Sequence, residues 1–246
     1  MTYTKIKSSV RIADLDGATK EIINFLDGQN ITEYPNYVAI VDEVKTHQQA
    51  LSLAISRSLK ESELADLDTE RDGYISAINI TLQAAILSPN ATESEAAKKV
   101  MTVFVKYGAK ISQLNYSAES AQINSMLTDF KQKDVAKDIA AIANMSNFVS
   151  KLQTAQTAFE VAEVEYDHAR TNQKGSDSAS RVKPKLLEAI SNMIDFHNAI
   201  VRFKDADFKN ICDTIDTVIS GVNRLVKARV GSRTNKEEET NNEEEK

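Results

Sequence analysis

The sequence predicts an all-α fold, an elongated antiparallel bundle of about seven or eight helices. Three observations predict it. Glycine and proline are scarce, at 7 and 3 in 246 residues, whereas an all-β or α/β chain of this length needs many turns and the glycines that form them. Apolar residues recur at alternating steps of three and four along most of the chain, the spacing of one helical face. Breaks in that spacing fall at proline, at glycine or at runs of polar turn residues.

Taken in order, residues 1–13 read as an extended arm in which Lys5, Lys7 and Arg11 alternate with Ile6, Val10 and Ile12. A short helix over about 15–27 turns Leu15, Ile22, Phe25 and Leu26 inward, and Gly28 suits the residue after its end. Pro35 suits the first turn of a second helix, where its missing N–H costs nothing. That helix, about 35–60, carries Tyr37, Val41, Val44, Gln48, Leu51 and Ile55 at steps of 4, 3, 4, 3 and 4. A third, about 62–87, runs to the break Ser88-Pro89-Asn90. Thr92 and Glu95 have capping-box spacing ahead of a fourth helix over about 93–114, interrupted at Gly108.

Ser117 can cap a fifth helix, about 118–132, and a short apolar segment follows over about 134–143. A sixth helix, about 146–172, presents Leu152, Ala155, Phe159 and Ala162, and 172–180 reads as a loop. Pro184 marks the first turn of a seventh helix, about 181–203, with Leu186, Ile190, Met193 and His197 inward. The eighth, about 206–230, shows Phe208, Ile211, Ile215, Val218, Val222 and Leu225, nearly three heptads with one narrow seam. The expected arrangement is one domain over 1–230, with two three-helix groups of similar size at about 35–114 and 146–230. Residues 231–246 hold six glutamates and no apolar side chain; such a tail cannot offset the entropy of ordering and is expected to be disordered.

Composition excludes several function classes. The net charge is −6, without a basic, aromatic-rich patch, so no nucleic acid is expected as partner. Arg224, Lys227, Arg229 and Arg233 gather near a helix C-terminus, where cations complement the dipole. Cys212 is the one cysteine; it rules out an intrachain disulfide framework and reads as a buried, inert thiol. The N-terminus lacks the apolar core of a signal peptide, and the longest uncharged run, Gly73 to Thr92, is too polar to span a membrane. A cytoplasmic protein without a membrane partner is expected.

No nucleophile elbow and no glycine-rich phosphate loop is present. A di-iron centre needs two Glu-x-x-His pairs on facing helices. Glu165 and His168 supply one; His47 and His197 are preceded at that spacing by Val44 and Ile194. No metal and no cofactor is therefore expected, and Glu165, His168 and His197 are only secondary binding candidates. His197 lies on an apolar stripe and reads as a core histidine with one hydrogen-bond partner.

One stripe is unusual. Leu64, Leu67, Arg71, Tyr74 and Ile78 share a helical face, and its central place holds an arginine with Asp68 three residues before it and Asp72 directly after. A guanidinium facing a core must be paired. Asp68, Arg71 and Asp72 are thus the candidate ion network, or else the anchor for a ligand or partner.

The run LDTERDGYISAI at 67–78, the segment SPNATESEAAKKVMTVFVKYG at 88–108 and the segment YSAESAQINSMLTDF at 116–130 resemble a family of uncharacterised helical proteins of gut Bacteroidota. The matching residues are Asp68, Arg71, Asp72, Phe104, Tyr107, Gly108, Tyr116, Glu119, Ile123 and Asn124, with Met126 in place of the family's leucine. The resemblance covers most of residues 12–205. It implies an all-α domain and supplies no reaction, cofactor or catalytic residue.

The function expected from the sequence is a non-enzymatic helical interaction or structural protein, with a protein partner or self-association through the helix-eight seam. A small-ligand-binding or enzymatic bundle built on Asp68, Arg71 and Asp72 is one alternative. A membrane-active helical protein is another.

Overall fold

The computed structural model describes residues 2–107, 111–172, 177–203 and 206–244, without the side chains of 172, 203, 206, 207 and 232–244. Its α-helices are α1 (Ile12–Asp27), α2 (Pro35–Ile86), α3 (Ala91–Phe104), α4 (Tyr116–Phe130), α5 (Lys133–Ala140), α6 (Met145–Asn172), α7 (Ala179–Ile200) and α8 (Ala206–Glu244). Short 3-10 turns occupy Ile111–Gln113 and Val201–Phe203. Among the described residues no strand forms, so the class is all-α.

The chain gathers into two compact units, Met1–Ser56 with Gln173–Lys246 (unit 1) and Arg57–Asn172 (unit 2). The boundary falls within α2, so the units do not coincide with the groups 35–114 and 146–230 read from the sequence. The second and third helices of the sequence reading are one continuous α2. The stretch SRSLKESELAD at 56–66 contains neither glycine nor proline, and nothing in its chemistry stops a helix.

Unit 1 packs α1, the first half of α2, α7 and α8 around one core that includes Leu15, Ile22, Val44, Leu51, Ile190 and Ile215. The N-terminal arm joins it through Tyr3, Ile6 and Val10. Two asparagine side chains hold the arm's backbone as a neighbouring strand would. Asn198 Oδ1 accepts from the Tyr3 N–H at 2.7 Å while its Nδ2 donates to the Tyr3 carbonyl. Asn223 accepts from the Lys7 N–H at 3.0 Å and donates to the Lys5 carbonyl. These contacts satisfy backbone groups that an irregular segment would otherwise leave unpaired.

Along α8 the buried stripe is Phe208, Ile211, Ile215, Ile219, Val222 and Val226, with Cys212 buried beside Ile211. The steps of 3, 4, 4, 3 and 4 follow the 3.6-residue period of a straight helix rather than a heptad. Val218 is therefore only partly buried and Leu225 is 50% exposed. Of the seam expected to mediate self-association, Phe208, Ile211, Ile215 and Val222 lie in the unit 1 core and Val218 packs against it.

Unit 2 packs the second half of α2 with α3 to α6 around Ile78, Leu82, Val100, Phe104, Ile123, Phe130 and Leu152. Three expected helix ends differ from those observed. Asn90 caps α3, its side chain accepting from the N–H groups of Thr92 and Glu93; an N-cap asparagine two residues upstream outcompetes the Thr92–Glu95 box. Asn115 rather than Ser117 caps α4, accepting from the Ala118 N–H at 3.0 Å. Pro184 lies inside α7, which begins at Ala179, rather than in its first turn. Gly108, residues 173–176 of the loop expected at 172–180, and residues 245–246 with the side chains of 232–244 in the expected tail fall outside the description.

Candidate functional site

Asp68, Arg71 and Asp72 sit in the second half of α2, within unit 2. Spacings of three and four on one helix put Asp68 beside both Arg71 and Asp72. The stripe faces the core as expected: Leu64, Arg71 and Ile78 are buried, and Leu67 and Tyr74 are partly so. Arg71 is 0% exposed.

Side chains from two other helices complete the surroundings of its guanidinium. Arg71 Nη2 pairs with Asp68 Oδ1 at 2.7 Å and with Glu119 Oε2 of α4 at 2.9 Å. Arg71 Nη1 donates to Ser120 Oγ at 2.9 Å and to Gln156 Oε1 of α6 at 3.1 Å. The guanidinium carbon lies 3.8 Å from the centroid of the Phe159 ring, a stacked cation–π contact worth about 2 kcal/mol when desolvated. Tyr116 meets the edge of the same ring, with centroids 5.1 Å apart. A further shell tightens Gln156: its Nε2 donates to Glu160 Oε1 at 2.9 Å, and Asn124 Nδ2 donates to the same oxygen.

The N-cap at Asn115 fixes where α4 begins and so brings Glu119 to its first turns, where the helix dipole favours a negative charge. Glu119 is nonetheless 1% exposed, and burial pushes its carboxyl up to about 7; Arg71 opposes that rise, while Asp72 and Asp68 reinforce it. Burial also raises Asp72, with Asp68 adding to the rise and Arg71 opposing it. Asp72 and Glu119 face one another closely enough for a carboxyl–carboxylate hydrogen bond once one of them holds a proton. With both ionised they are acceptors only, and Asp72 Oδ1, Glu119 Oε1 and Arg71 Nε then lack partners among the described residues. The arrangement can hold a charge, share a proton or offer oxygen ligands.

Sequence reasoning from α2 alone named three members of this cluster and missed Ser120, Gln156 and Phe159 as partners. Glu119 entered only through the resemblance. A signal was present: Gln156 stands between Leu152 and Phe159 at steps of four and three, a polar residue on an apolar stripe in the same sense as Arg71. Glu119 likewise stands one turn before Ile123 on the buried face of α4.

The secondary candidates lie elsewhere. Glu165 and His168 are exposed on α6, and Glu165 is ion-paired with Lys60. His197 belongs to unit 1 and is 0% exposed. Its Nε2 shares a hydrogen bond with the Tyr37 hydroxyl at 2.8 Å, and its Nδ1 has no partner among the described residues. Phe208 and Tyr3 approach its ring edge-on. Burial lowers its pKa to about 4, so the ring is neutral at pH 7. Cys212 is buried nearby in sequence on α8.

A model of a family of unknown function, DUF6261, matches residues 61–218. The chain belongs to that family. The DUF6261 match takes in the whole Asp68–Arg71–Asp72 segment with its partners on α4 and α6, and continues through α7 into α8. No curated protein and no solved structure matches the chain. Among the described residues, no helix is long and apolar enough to cross a membrane.

Proposed function

We propose that this DUF6261 protein is a non-enzymatic, cytoplasmic helical interaction protein, in which the Arg71 cluster fixes the register of α2, α4 and α6. Membership of a gut Bacteroidota family, carried by the motifs at 67–78, 88–108 and 116–130, belongs to the same reading. The observation that carries it is the closure of Arg71: at 0% exposure, with both Nη atoms engaged and a ring against one face, the guanidinium is sealed from solvent, and only its Nε lacks a partner among the described residues. Exchange of a buried ion pair for well-packed apolar residues is often neutral or stabilising, so the role proposed for this one is specificity of packing rather than net stability.

The surface that supports an interaction lies on α6 and the second half of α2. Leu67, Ala158, Val161 and Ala162 line an open groove together with three neutral polar residues of α6 and with Glu63 and Glu165. Val161 and Val164 are 57% and 56% exposed. Apolar side chains grouped in a groove among polar and charged residues are the composition of a docking surface rather than of scattered surface residues. With most of the α8 seam in the unit 1 core, this groove takes over as the face for a protein partner or a second copy.

The test is a Val161→Glu/Val164→Glu double variant. Both positions are exposed, so helicity by circular dichroism should match the wild type. Sedimentation velocity over a hundredfold concentration range, with cross-linking, should show an associated species in the wild type that the variant loses. A wild type that stays monomeric, and whose cross-linked partners are the same as the variant's, would rule the groove out.

A further inference from the structure

With Asp72 and Glu119 both ionised, the network around Arg71 leaves three buried polar atoms, Arg71 Nε, Asp72 Oδ1 and Glu119 Oε1, without a hydrogen-bond partner among the described residues. Glu119 is 1% exposed, and its other oxygen is taken by Arg71 Nη2. A buried charged acceptor left without a partner is strongly unfavourable. Moreover, Asp68, Asp72 and Glu119 each place a carboxylate oxygen within 4.8 Å of the other two. Ionised, they set three negative charges against the single positive charge of Arg71, the one cation paired with this group among the described residues.

We propose that Asp68, Asp72 and Glu119 bind one hard divalent cation, of the Mg2+, Mn2+ or Ca2+ class, which ties the second half of α2 to the start of α4. The donor set is all carboxylate oxygen with neither imidazole nor thiolate, which selects hard ions. Oxygens bonded to one such ion at about 2.0–2.6 Å stand no more than about 5 Å apart, which the observed 4.8 Å limit meets. Arg71 engages Oδ1 of Asp68 and Oε2 of Glu119, and so leaves the second oxygen of each for the ion. A charge of two cancels the residual charge of the cluster. Asp68 and Asp72 are each partly exposed, which opens the site to the solvent from which an ion arrives and lets it keep waters. The site is separate from the groove on α6: a failure to bind ions leaves the groove test where it stands, and the reverse.

The experiment uses the full chain, stripped with a chelator and titrated with Mn2+ at neutral pH, with free Mn2+ read by electron paramagnetic resonance and binding heat by calorimetry. One saturable Mn2+ per chain is expected, displaced by Mg2+ or Ca2+, together with a rise in Tm of several degrees. Asp72→Asn and Glu119→Gln should each weaken Mn2+ binding at least tenfold, while Glu95→Gln, which alters an exposed carboxylate paired with Lys98 on α3, leaves it unchanged. If Glu119→Gln does not fold, Asp72→Asn decides, since Asp72 is partly exposed. Absence of saturable Mn2+ binding up to millimolar concentration overturns the proposal and leaves a shared proton as what joins Asp72 to Glu119. Binding that survives both variants unchanged overturns it equally.

Discussion

His197 in unit 1 and Arg71 in unit 2 are both at 0% exposure, on helices that otherwise bury apolar side chains. The histidine stays neutral: with its pKa lowered to about 4 by burial, it needs one hydrogen bond, from or to Tyr37, and aromatic rings fill the rest of its shell. An arginine cannot be deprotonated in a protein, so unit 2 must bring charge to it. It does so with Asp68 and Glu119, two neutral acceptors and a ring face. A titratable group adapts to a core by losing its charge. A permanent charge forces the core to adapt, and the adaptation here draws a third acid, Asp72, into contact with Glu119. Both centres draw on three helices, and what separates them is the charge that the arginine keeps.

The largest break in this comparison is Arg71→Met. It leaves Asp68, Asp72 and Glu119 together without their cation, and loss of one partner from a buried ion pair costs about 3–5 kcal/mol. Urea denaturation should show that loss. Adding Glu119→Gln to Arg71→Met should recover a good part of it, because the residual buried charge goes with it. A single variant as stable as the wild type would mean that the guanidinium is not held in a desolvated site.

The contrast extends to pH, where the two centres carry opposite signs. His197 has a folded-state pKa near 4 against 6.5 for the free side chain. Between those values the unfolded chain binds more protons, so this contribution to stability is complete above pH 6.5 and is lost as the pH falls toward 4. Its ceiling is about 3 kcal/mol. Glu119 lies near 7 against 4.5. In that window the folded chain binds more protons, so this contribution is complete below pH 4.5 and is lost as the pH rises through 7. In chelator, His197→Gln should flatten the acid side of the stability profile and Glu119→Gln the neutral side. The same flank responding to both variants would contradict the assignment.

How much of this was legible in the sequence depended on the range of the interaction. The stripes of α1, the first half of α2, α6 and α7 were read correctly because a helix buries what its own 3.6 period brings to one face; Leu152, Ala155, Phe159 and Ala162 are all buried as spaced. Arg71 stood out by the same rule. Its partners did not, since Glu119 and Gln156 lie 48 and 85 residues further on, and no local pattern says which helix faces which. The continuity of α2 was missed because a change of stripe near residue 60 resembles a break when no terminator is demanded. The α8 heptad was over-read: six apolar positions fit periods of 3.5 and 3.6 almost equally until burial selects Ile219 and Val226 over Val218 and Leu225.

A smaller effect probes the neutral centre alone. Tyr37→Phe keeps the ring in its contacts with Phe196 and Phe208 and removes the hydroxyl that meets His197 Nε2. The imidazole then has no partner at Nε2 or Nδ1 among the described residues, and stability should fall by about 1–3 kcal/mol. Replacing His197 by Leu in the same chain should restore most of it, since an apolar group asks for no hydrogen bond. If Tyr37→Phe costs as much as Arg71→Met, the difference between neutral and charged burial collapses.

The smallest expected effect is a gain, and it offers a matched pair of controls. Gly17 in α1 and Gly73 in α2 are exposed, and a Cβ added at either meets nothing within 4 Å. Glycine inside a helix is disfavoured against alanine by up to about 1 kcal/mol, largely through the freedom of the unfolded chain. Gly17→Ala in unit 1 and Gly73→Ala in unit 2 should therefore each stabilise by about 0.5–1 kcal/mol, read from the urea midpoint at constant m. Gly73 directly follows Asp72, so the second variant also asks whether the backbone beside the acid pair is ordinary helix. Equal gains at the two sites would place all of the asymmetry between the units in their buried side chains. A loss at Gly73 alone would place part of it in the backbone that carries Asp72.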